Sequence, residues 1–439
     1  MKKQMKLSII AVGVLSALSA NAAEDLSSMF SEGKTSGQIR TFYINRDDTT
    51  KDDKQIATAV GGHLKFETAA YEGLSVGAAL YTTNRILDDL ETDSMGPNTT
   101  LLKNDGSSYS LLGEAYLQYK RGNTTFKGGR QKLDTPLAGS DDARMLPNLF
   151  EAYLLINTDL PNTTLIGGHV TSFAPGTFAN AYNGDVLGAT AGYTAVPGNT
   201  ATYQGDFTNM GTWAVGERTA GVSVVSATYT GIENLKIQAW DYYAHNILNA
   251  VYGQADFSWK CLITDAMKPS LSAQIIKENG VGDKLGVDDI DSLYAAAQFS
   301  VKISDLTASI AYSEQSKADA GESLQKSTVS PWGGMPAFTQ GMVTRHMFLA
   351  GTKATKVAAT YDFKNMGANV KATAYYATFD MDENSGYSTD RVTKEPGFDV
   401  IYNPEAVKNL ELRFRGNFPT EFAENRDWDE YRFIANYNF

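Results

Sequence analysis

An alternation of apolar and polar residues with a period of two runs along the chain and is clearest in 430–439. There the face that carries Tyr431 and Phe433 is apolar and largely aromatic, whereas the face that carries Arg432 is mostly polar. Successive side chains of a strand point to opposite sides, so this segment predicts a strand with one apolar face. Such a strand suits a barrel wall between lipid and water. The alternative is a half-buried edge strand of a soluble sandwich.

The same period recurs along the whole chain, with nine long polar connections and eight short turns in strict alternation. Long loops on one side and short turns on the other are typical of outer-membrane barrels, with both termini in the periplasm. The pattern predicts one all-β domain over 23–439, a transmembrane antiparallel β-barrel of about 18 strands. The predicted strands lie near 37–45, 59–68, 74–83, 108–119, 123–131, 150–157, 163–172, 218–229, 234–243, 250–259, 269–277, 292–301, 305–313, within 344–363, and near 367–379, 397–403, 409–417 and 430–439.

The N-terminus has the features of a secretory signal. A lysine-rich start (2–6) precedes the apolar stretch 7–20, and a small-residue cleavage site ends at Ala22. We therefore predict that residues 1–22 are a signal peptide, which leaves 439 − 22 = 417 residues. It directs export through the periplasm to the outer membrane of a Gram-negative bacterium.

Charge and cysteine content narrow the function. Removing the three lysines of the signal leaves 35 basic against 50 acidic residues, a balance of −15, which argues against a nucleic-acid partner. The single cysteine, Cys261, forms no intramolecular disulfide. Acidic pairs such as Asp47-Asp48 predict solvated loops, with divalent-cation binding as the weaker alternative. We predict no metal site and no cofactor.

The predicted width of the barrel indicates a channel. Sixteen to eighteen strands leave an aqueous lumen, so we predict passive diffusion of small hydrophilic solutes without catalysis. Basic residues recur at positions assigned to the inner face, and a row of them guides anions or the carboxylate of a zwitterion. Alternatively, inward polar residues only keep the lumen wet. The predicted basic ladder is Arg40, Lys65, Lys236, Arg413, Arg415 and Arg432, and Arg130, Lys356 and Lys371 are also assigned inward.

The connection 132–149 is the segment most like a binding site. It carries apolar residues such as Leu133 and Leu137, which need a surface to pack on, and the inner wall of the barrel offers one. We expect this loop to fold into the lumen and to narrow the pore. The charged residues expected at the constriction are Arg130, Lys132, Asp134, Asp141, Asp142 and Arg144.

The segment 129–147 resembles the third extracellular loop of the OprD-like specific porins, and 429–434 is similar to the closing strand of that family. Epsilonproteobacterial major outer-membrane porins, which are similar in architecture, are the alternative. Gly139 stands where the family usually has Asn. The loop residues that carry the resemblance are Gly129, Gln131, Ser140, Asp142, Arg144, Leu146 and Pro147.

The resemblance implies an 18-stranded barrel, a constriction made by the third loop, and a preference for small carboxylate-bearing solutes such as amino acids. Arg130 and Arg144 would lie near the constriction. The acidity of this chain departs from that expectation and makes weak cation selectivity the alternative. The expected partners are outer-membrane lipid and lipopolysaccharide, and the barrel-assembly machinery, for which Tyr437 and Phe439 would form the terminal signal. A monomer and a homotrimer are both compatible with the sequence.

Two other functions compete with a porin. A surface adhesin or structural barrel would use the long loops 84–107, 173–217 and 314–343 as its binding surface. A barrel hydrolase would need a nucleophile and a base. His245 follows Asp241 by four residues, so the two would share one face of a strand, but no G-x-S-x-G motif accompanies them.

Overall fold

Eighteen long antiparallel strands form one closed sheet in the computed structural model of the chain, as predicted. The structure describes residues 23–50, 53–86, 98–181, 193–194, 196, 198–261, 264, 266–284, 290–386, 391–423 and 426–439, so the predicted signal peptide lies outside them. The strands are β1 (Lys34–Asp48), β2 (Asp53–Glu67), β3 (Leu74–Ile86), β4 (Tyr109–Arg121), β5 (Thr124–Gln131), β6 (Leu149–Asn157), β7 (Thr163–Ala174), β8 (Val222–Tyr229), β9 (Leu235–Ala244), β10 (Leu248–Ser258), β11 (Met267–Gly280), β12 (Asp291–Ile303), β13 (Leu306–Gln315), β14 (Lys353–Asp362), β15 (Val370–Met381), β16 (Arg391–Tyr402), β17 (Leu410–Asn417) and β18 (Trp428–Asn438).

Helices are short and lie outside the strands of the barrel. Within the described ranges, no helix is long and apolar enough to cross a membrane. The first helix has a capping box in which Asp25 accepts from the backbone of Ser28 at 2.7 Å. The α-helices are α1 (Leu26–Ser31), α2 (Asn199–Tyr203), α3 (Met210–Val215) and α4 (Ser323–Lys326), and 3-10 turns span Thr99–Leu101, Thr177–Ala181, His346–Phe348 and Phe363–Met366.

Pairing between β1 and β18 closes the sheet. The register runs from Gln38 opposite Asn438 to Asp48 opposite Trp428. The terminal Phe439 and Gly37 exchange both backbone hydrogen bonds, at 3.1 and 2.9 Å. Lipid offers no partner to a free N–H or C=O group, so closure satisfies the two edges that an open sheet would expose.

The alternation seen in the sequence separates an apolar outer face from a polar inner face. In β18, Phe433 is 48% exposed and Tyr431 and Tyr437 are also exposed, whereas Arg432 is fully buried. Large apolar side chains such as Ile39 and Ile310 are exposed in the same way on other strands. These exposed residues form the surface that lipid covers, so the prediction for the closing strand is confirmed.

Two connections differ from the predicted lengths. The segment 46–58 is not one long polar loop, because β1 and β2 stay paired up to Asp48 opposite Asp53. Polar residues on both faces, such as the successive Asp47 and Asp48, hide the period-two signal while the backbone pairing continues. The connection 245–247 is also short. Long and short connections therefore alternate less strictly than predicted.

Three long connections pack against the inner wall, and we call them loop 3 (132–148), loop 4 (175–221) and loop 7 (316–352). Their apolar side chains share one buried cluster with inward residues of the wall. Trp213 of loop 4 donates from Nε1 to the carbonyl of Pro331 at 2.7 Å, and Trp332 of loop 7 donates to Met210 at 3.1 Å. The three loops therefore fill part of the barrel interior with protein. The cluster includes Leu133, Leu137, Phe173, Trp213, Tyr242, Tyr252, Tyr294 and Trp332.

Replacing Trp213 with Ala is expected to lower the free energy of unfolding by about 3–5 kcal/mol, because it leaves a cavity and an unpaired Pro331 carbonyl. The measurement is guanidinium unfolding of the refolded barrel in micelles, followed by its migration on unheated gels. Trp259, which is partly exposed beside β10, is the control, and its replacement by Ala should cost less. An equal loss of unfolding free energy in both variants would contradict a stabilising role of the loop cluster.

Candidate functional site

Loop 3 is attached to β1 by a buried guanidinium. Arg40 Nη1 lies 2.7 Å from Asp142 Oδ1, and Arg40 Nε donates to Asn436 of β18 at 2.9 Å. Lys132 Nζ lies 3.3 Å from the other carboxylate oxygen of Asp142. Asp142 therefore stands between two cations, one from the wall and one from its own loop.

The two cations control the protonation of Asp142. Burial raises the pKa of this carboxyl, but the charges of Arg40 and Lys132 outweigh burial and lower the pKa to about 2. Burial lowers the pKa of Lys132, and Asp142 and Asp134 more than compensate, so that pKa is raised. Asp142 and Lys132 are therefore both charged at neutral pH.

A second ion pair attaches loop 3 to β18. Arg144 Nη2 lies 3.1 Å from Glu430 Oε1, and both side chains are almost fully buried. Glu430 Oε1 also lies 3.0 Å from Nε of the buried Arg432, so one carboxylate serves two guanidinium groups. This carboxylate brings one arginine of loop 3 and one of the closing strand together in a buried cluster.

Loop 3 also contacts the opposite side of the barrel. The backbone N–H of Leu137 lies 3.4 Å from the Tyr242 hydroxyl on β9, and Leu133 and Leu137 are buried in the loop cluster. In the strand order, β9 is half a circumference away from β1 and β18. Loop 3 thus contacts the wall on two opposite sides of the barrel. Between these contacts it forms a short hairpin, in which Asp134–Thr135 pairs with Ala138–Gly139.

Loop 7 is the component that sequence reasoning missed. Met335 N donates to the Pro136 carbonyl at 2.6 Å, and Ser330 donates to the Leu137 carbonyl at 2.9 Å. Arg345 Nη1 lies 3.5 Å from Asp141 Oδ2. The sequence did contain a signal for loop 7, because this loop has apolar residues of the same kind as those that singled out loop 3, and the structure buries them. They include Val329, Trp332, Met335, Val343, Met347 and Phe348.

A cavity of about 610 Å³ lies between these loops and the inner faces of β10 to β17. Three basic side chains line it: Arg345 from loop 7, Lys356 from β14 and Arg415 from β17. Two acids line it as well, Asp256 from β10 and Asp399 from β16. The lining also includes apolar residues such as Phe338 and Met342, and the neutral polar side chains Gln254, Ser272, Gln274, Gln298, Gln340 and Thr373.

A smaller cavity of about 340 Å³ lies where loops 3 and 7 meet. Asp134, Asp141 and Arg345 line it. The Asp134 carboxylate accepts from the backbone and the hydroxyl of Ser140, and Asp141 Oδ1 accepts from Gly334 N at 3.2 Å. Asp141 therefore joins loop 3 to loop 7, whereas Asp134 stabilises the conformation of loop 3 itself, and both also line the space.

The predicted basic ladder divides into groups with different surroundings. Arg415 lines the cavity, with Nε 3.5 Å from Asp399, and Arg413 makes a two-pronged contact with the same Asp399. Arg40 and Arg432 are buried in the attachments of loop 3. Lys65 lies on another part of the wall, 3.0 Å from Glu114, and Lys236 is buried opposite Asp256 in the register of β9 and β10.

Arg130 does not reach the other candidates. It pairs in register with Ala115 and Glu151, on the face of β5 that also carries the exposed Phe126. Its guanidinium lies 4.4 Å from the centre of the Phe207 ring. The register places Arg130 on the outer side of β5. The sequence could not indicate this, because the neighbouring Gly128 and Gly129 have no side chain that marks the apolar face.

Tyr437 and Phe439 lie on the outer face at the end of the chain. Both rings are exposed, and their centres are 6.4 Å apart. This is the apolar face predicted for the terminal strand. Their part in assembly stays a prediction.

The proposed acid–histidine pair does not form. Asp241 accepts from Asn249 at 2.6 Å, whereas His245 Nε2 lies 3.0 Å from the Ser223 hydroxyl. Among the described residues, no group of three or more His, Cys, Asp or Glu side chains is placed to hold a metal ion. Much of loop 7, expected as an open adhesive surface, is buried against loops 3 and 4. Parts of the other two loops, 87–97 and 182–192, lie outside the described residues.

A family model described as "outer membrane porin, OprD family" matches residues 28–439. The chain belongs to this family. It is therefore an outer-membrane porin of a Gram-negative bacterium, a channel for small solutes in an outer-membrane lipid setting. The comparison with curated protein sequences returns no match.

Solved structures of OprD-type porins share the fold at low sequence identity. OpdK of Pseudomonas aeruginosa, solved with vanillate, has a TM-score of 0.74 at 16% identity, over 94% of this chain and 99% of that chain. OccK9 (OpdG) of the same organism has a TM-score of 0.74 at 19% identity with the same coverage. A BenF-like porin of Pseudomonas fluorescens Pf-5 has a TM-score of 0.75 at 16% identity, again over 94% and 99%.

Replacing Asp142 with Asn is expected to change the conductance at pH 7, because Arg40 and Lys132 lose the carboxylate that joins loop 3 to β1. The pKa of Asp142 is lowered from 3.8 to about 2, so its attachment is fully present above about pH 4 and is lost as pH falls toward 2.

The measurement is single-channel conductance from pH 7 to 2 in both proteins. The wild type should approach the Asn variant only below about pH 4. A difference between the two proteins that already disappears near pH 6 would contradict the assignment of these cations to Asp142.

Proposed function

We propose that this OprD-family porin favours small solutes that carry a carboxylate, and in particular zwitterions such as amino acids. The observation that carries the proposal is the mixed charge of the large cavity. Arg345, Lys356 and Arg415 offer donors to a carboxylate, and Asp256 offers an acceptor to an ammonium group. A purely cationic wall would instead favour simple anions.

The acids explain why the cavity suits a weak, reversible contact. Asp399 lies next to Arg415 and Arg413 and partly neutralises them. A passing carboxylate therefore exchanges with a carboxylate of the wall, so it is neither excluded nor trapped. Conduction requires this balance between entry and release.

Loops 3 and 7 form the narrow part of the pore in this proposal. Loop 3 contacts β1 and β18 on one side and β9 on the other, and Asp141 and Arg345 link it to loop 7. Solutes would pass between these loops and the wall of β10 to β17. The constriction charges are then Arg345, Lys356 and Arg415, together with Asp142 and Lys132 as supports of loop 3.

Replacing both Lys356 and Arg415 with Gln is expected to lower the permeability to a monocarboxylate or an amino acid by at least roughly tenfold, because the loss of a single charged hydrogen bond already costs about 1.5 kcal/mol or more. Zero-current potentials in a salt gradient should shift toward cation selectivity. The measurements are planar-bilayer recordings and swelling of loaded liposomes, with glycine and arabinose as test solutes.

Arg130→Gln is the matched control, since this arginine lies on the outer face and its loss should leave both readouts unchanged. Asp256→Asn separates zwitterions from anions. It should reduce the uptake of glycine and leave that of acetate unchanged or raised. An unchanged ratio of glycine to acetate would overturn the assignment of Asp256.

We also propose that the terminal aromatic pair is read by the barrel-assembly machinery. The support is that Tyr437 and Phe439 are exposed at the end of the closing strand. Deleting Phe439 is expected to reduce the amount of folded protein in the outer membrane several-fold while the protein still refolds in detergent. The control is Phe30→Ala, because Phe30 is also an exposed aromatic residue but lies on α1, away from the closing strand. A normal yield without Phe439 would contradict the proposal.

A further inference from the structure

A turn of loop 7 is bound to a carboxylate of the barrel wall. Glu395 projects inward from β16 and is fully buried. Its Oε2 accepts from the backbone N–H of Thr344 at 2.8 Å, and both carboxylate oxygens lie 3.4 Å from Val343 N. The N–H of Met342 donates to Oε1. Three consecutive N–H groups that converge on one anion form a small anion-binding site of backbone, here occupied by a wall residue.

The surroundings of Glu395 fit this turn closely. A Cβ atom on Gly341 would lie 2.6 Å from Glu395 Oε2, so a larger residue here would push the carboxylate away from the turn. Tyr375 of β15 donates its hydroxyl to Oε1. Lys356 Nζ lies 4.9 Å from the centre of the Tyr375 ring and donates to the carbonyl of Gln340 at 2.6 Å. The segment 340–344 is thus held from two sides by adjacent strands.

The same segment forms part of the cavity, whereas Glu395 does not. Gln340, Gly341, Met342 and Arg345 line the large cavity. Glu395 is behind them, out of reach of a solute. Whatever Glu395 does for permeation it must therefore do through the position of this segment.

We propose that Glu395 is a positioning residue that holds segment 341–345 of loop 7 in the lumen and thereby sets the width and charge of the constriction. The inference rests on the proposed function of the cavity. A glutamine in its place has the same shape but lacks the charge, and its NH₂ group would face N–H donors. A buried group left without its partners is costly, so the segment moves away from the wall.

A second carboxylate attaches loop 7 to the wall elsewhere, so the loss of Glu395 should free only part of the loop. At the other end of loop 7, Glu278 of β11 accepts from Val329 N at 2.8 Å and from the Ser292 hydroxyl at 3.2 Å. Thr328 beside it is fully buried and donates to Gln315 at 2.9 Å. Loss of Glu395 leaves these contacts intact, so only the segment near Thr344 should become mobile.

The first test measures that local release directly. In a Cys261→Ser background, single cysteines replace either Thr344 or Thr328, both of which are fully buried. The rate of modification by a charged, water-soluble thiol reagent is measured in the refolded barrel with and without Glu395→Gln. We expect the rate at position 344 to rise at least tenfold in the variant and the rate at position 328 to stay unchanged. Glu395→Asp, which keeps the charge, should give an intermediate rate.

The second test measures the pore. Glu395→Gln is expected to raise the single-channel conductance and to weaken selectivity, whereas Glu411→Gln, an inward acid of β17 without a contact to loop 7, should match the wild type. Unchanged reactivity at position 344 would overturn the proposal, as would equal increases at 344 and 328, or increased reactivity at 344 with unchanged conductance. A wild-type barrel without conductance would instead refute the proposed function, while the thiol rates would still report on the attachment.

Discussion

Closure of the sheet is the constraint on which the rest of this structure depends. A strand in lipid has no water to satisfy its backbone, so β18 must pair with β1 along its whole length. Eighteen strands then enclose an interior that side chains of the wall alone cannot fill. Lipid requires the outer face to be apolar. The features that distinguish this barrel from others therefore lie in its interior.

Much of that interior is filled by loops that behave as a protein core. Leu137, Trp213 and Trp332 come from three different connections and bury against tyrosines of the wall. Their backbones carry polar groups into the barrel, and these groups need partners. The indole hydrogen bonds to Pro331 and Met210 and the carboxylates of Glu278 and Glu395 supply several of them.

Charge has two uses in this barrel, and Arg345 and Lys356 serve both, because they line the cavity and also hold loop 7. Arg40, Arg144 and Arg432 are buried with carboxylates and fasten loop 3 to the closing strands. Arg345, Lys356 and Arg415 face the cavity. The net acidity of the chain is therefore a poor guide to selectivity, because a solute meets only the charges that line its path. Several of the inward arginines do not line that path, since they are buried in ion pairs that hold loop 3.

The sequence by itself determined the strand number, the antiparallel order, the apolar outer face and the terminal strand, because a period of two is a local signal that lipid on one side and water on the other enforce. It also indicated that loop 3 packs on something, from Leu133 and Leu137. Only the tertiary structure decided which charged residues line the cavity, that Arg130 faces outward, and that loop 7 completes the site with Arg345 and Gly341. Those facts depend on contacts between residues some two hundred positions apart, such as Asp141 and Arg345. They also depend on which face of a glycine-rich strand carries each side chain. The local periodicity of the sequence reveals neither.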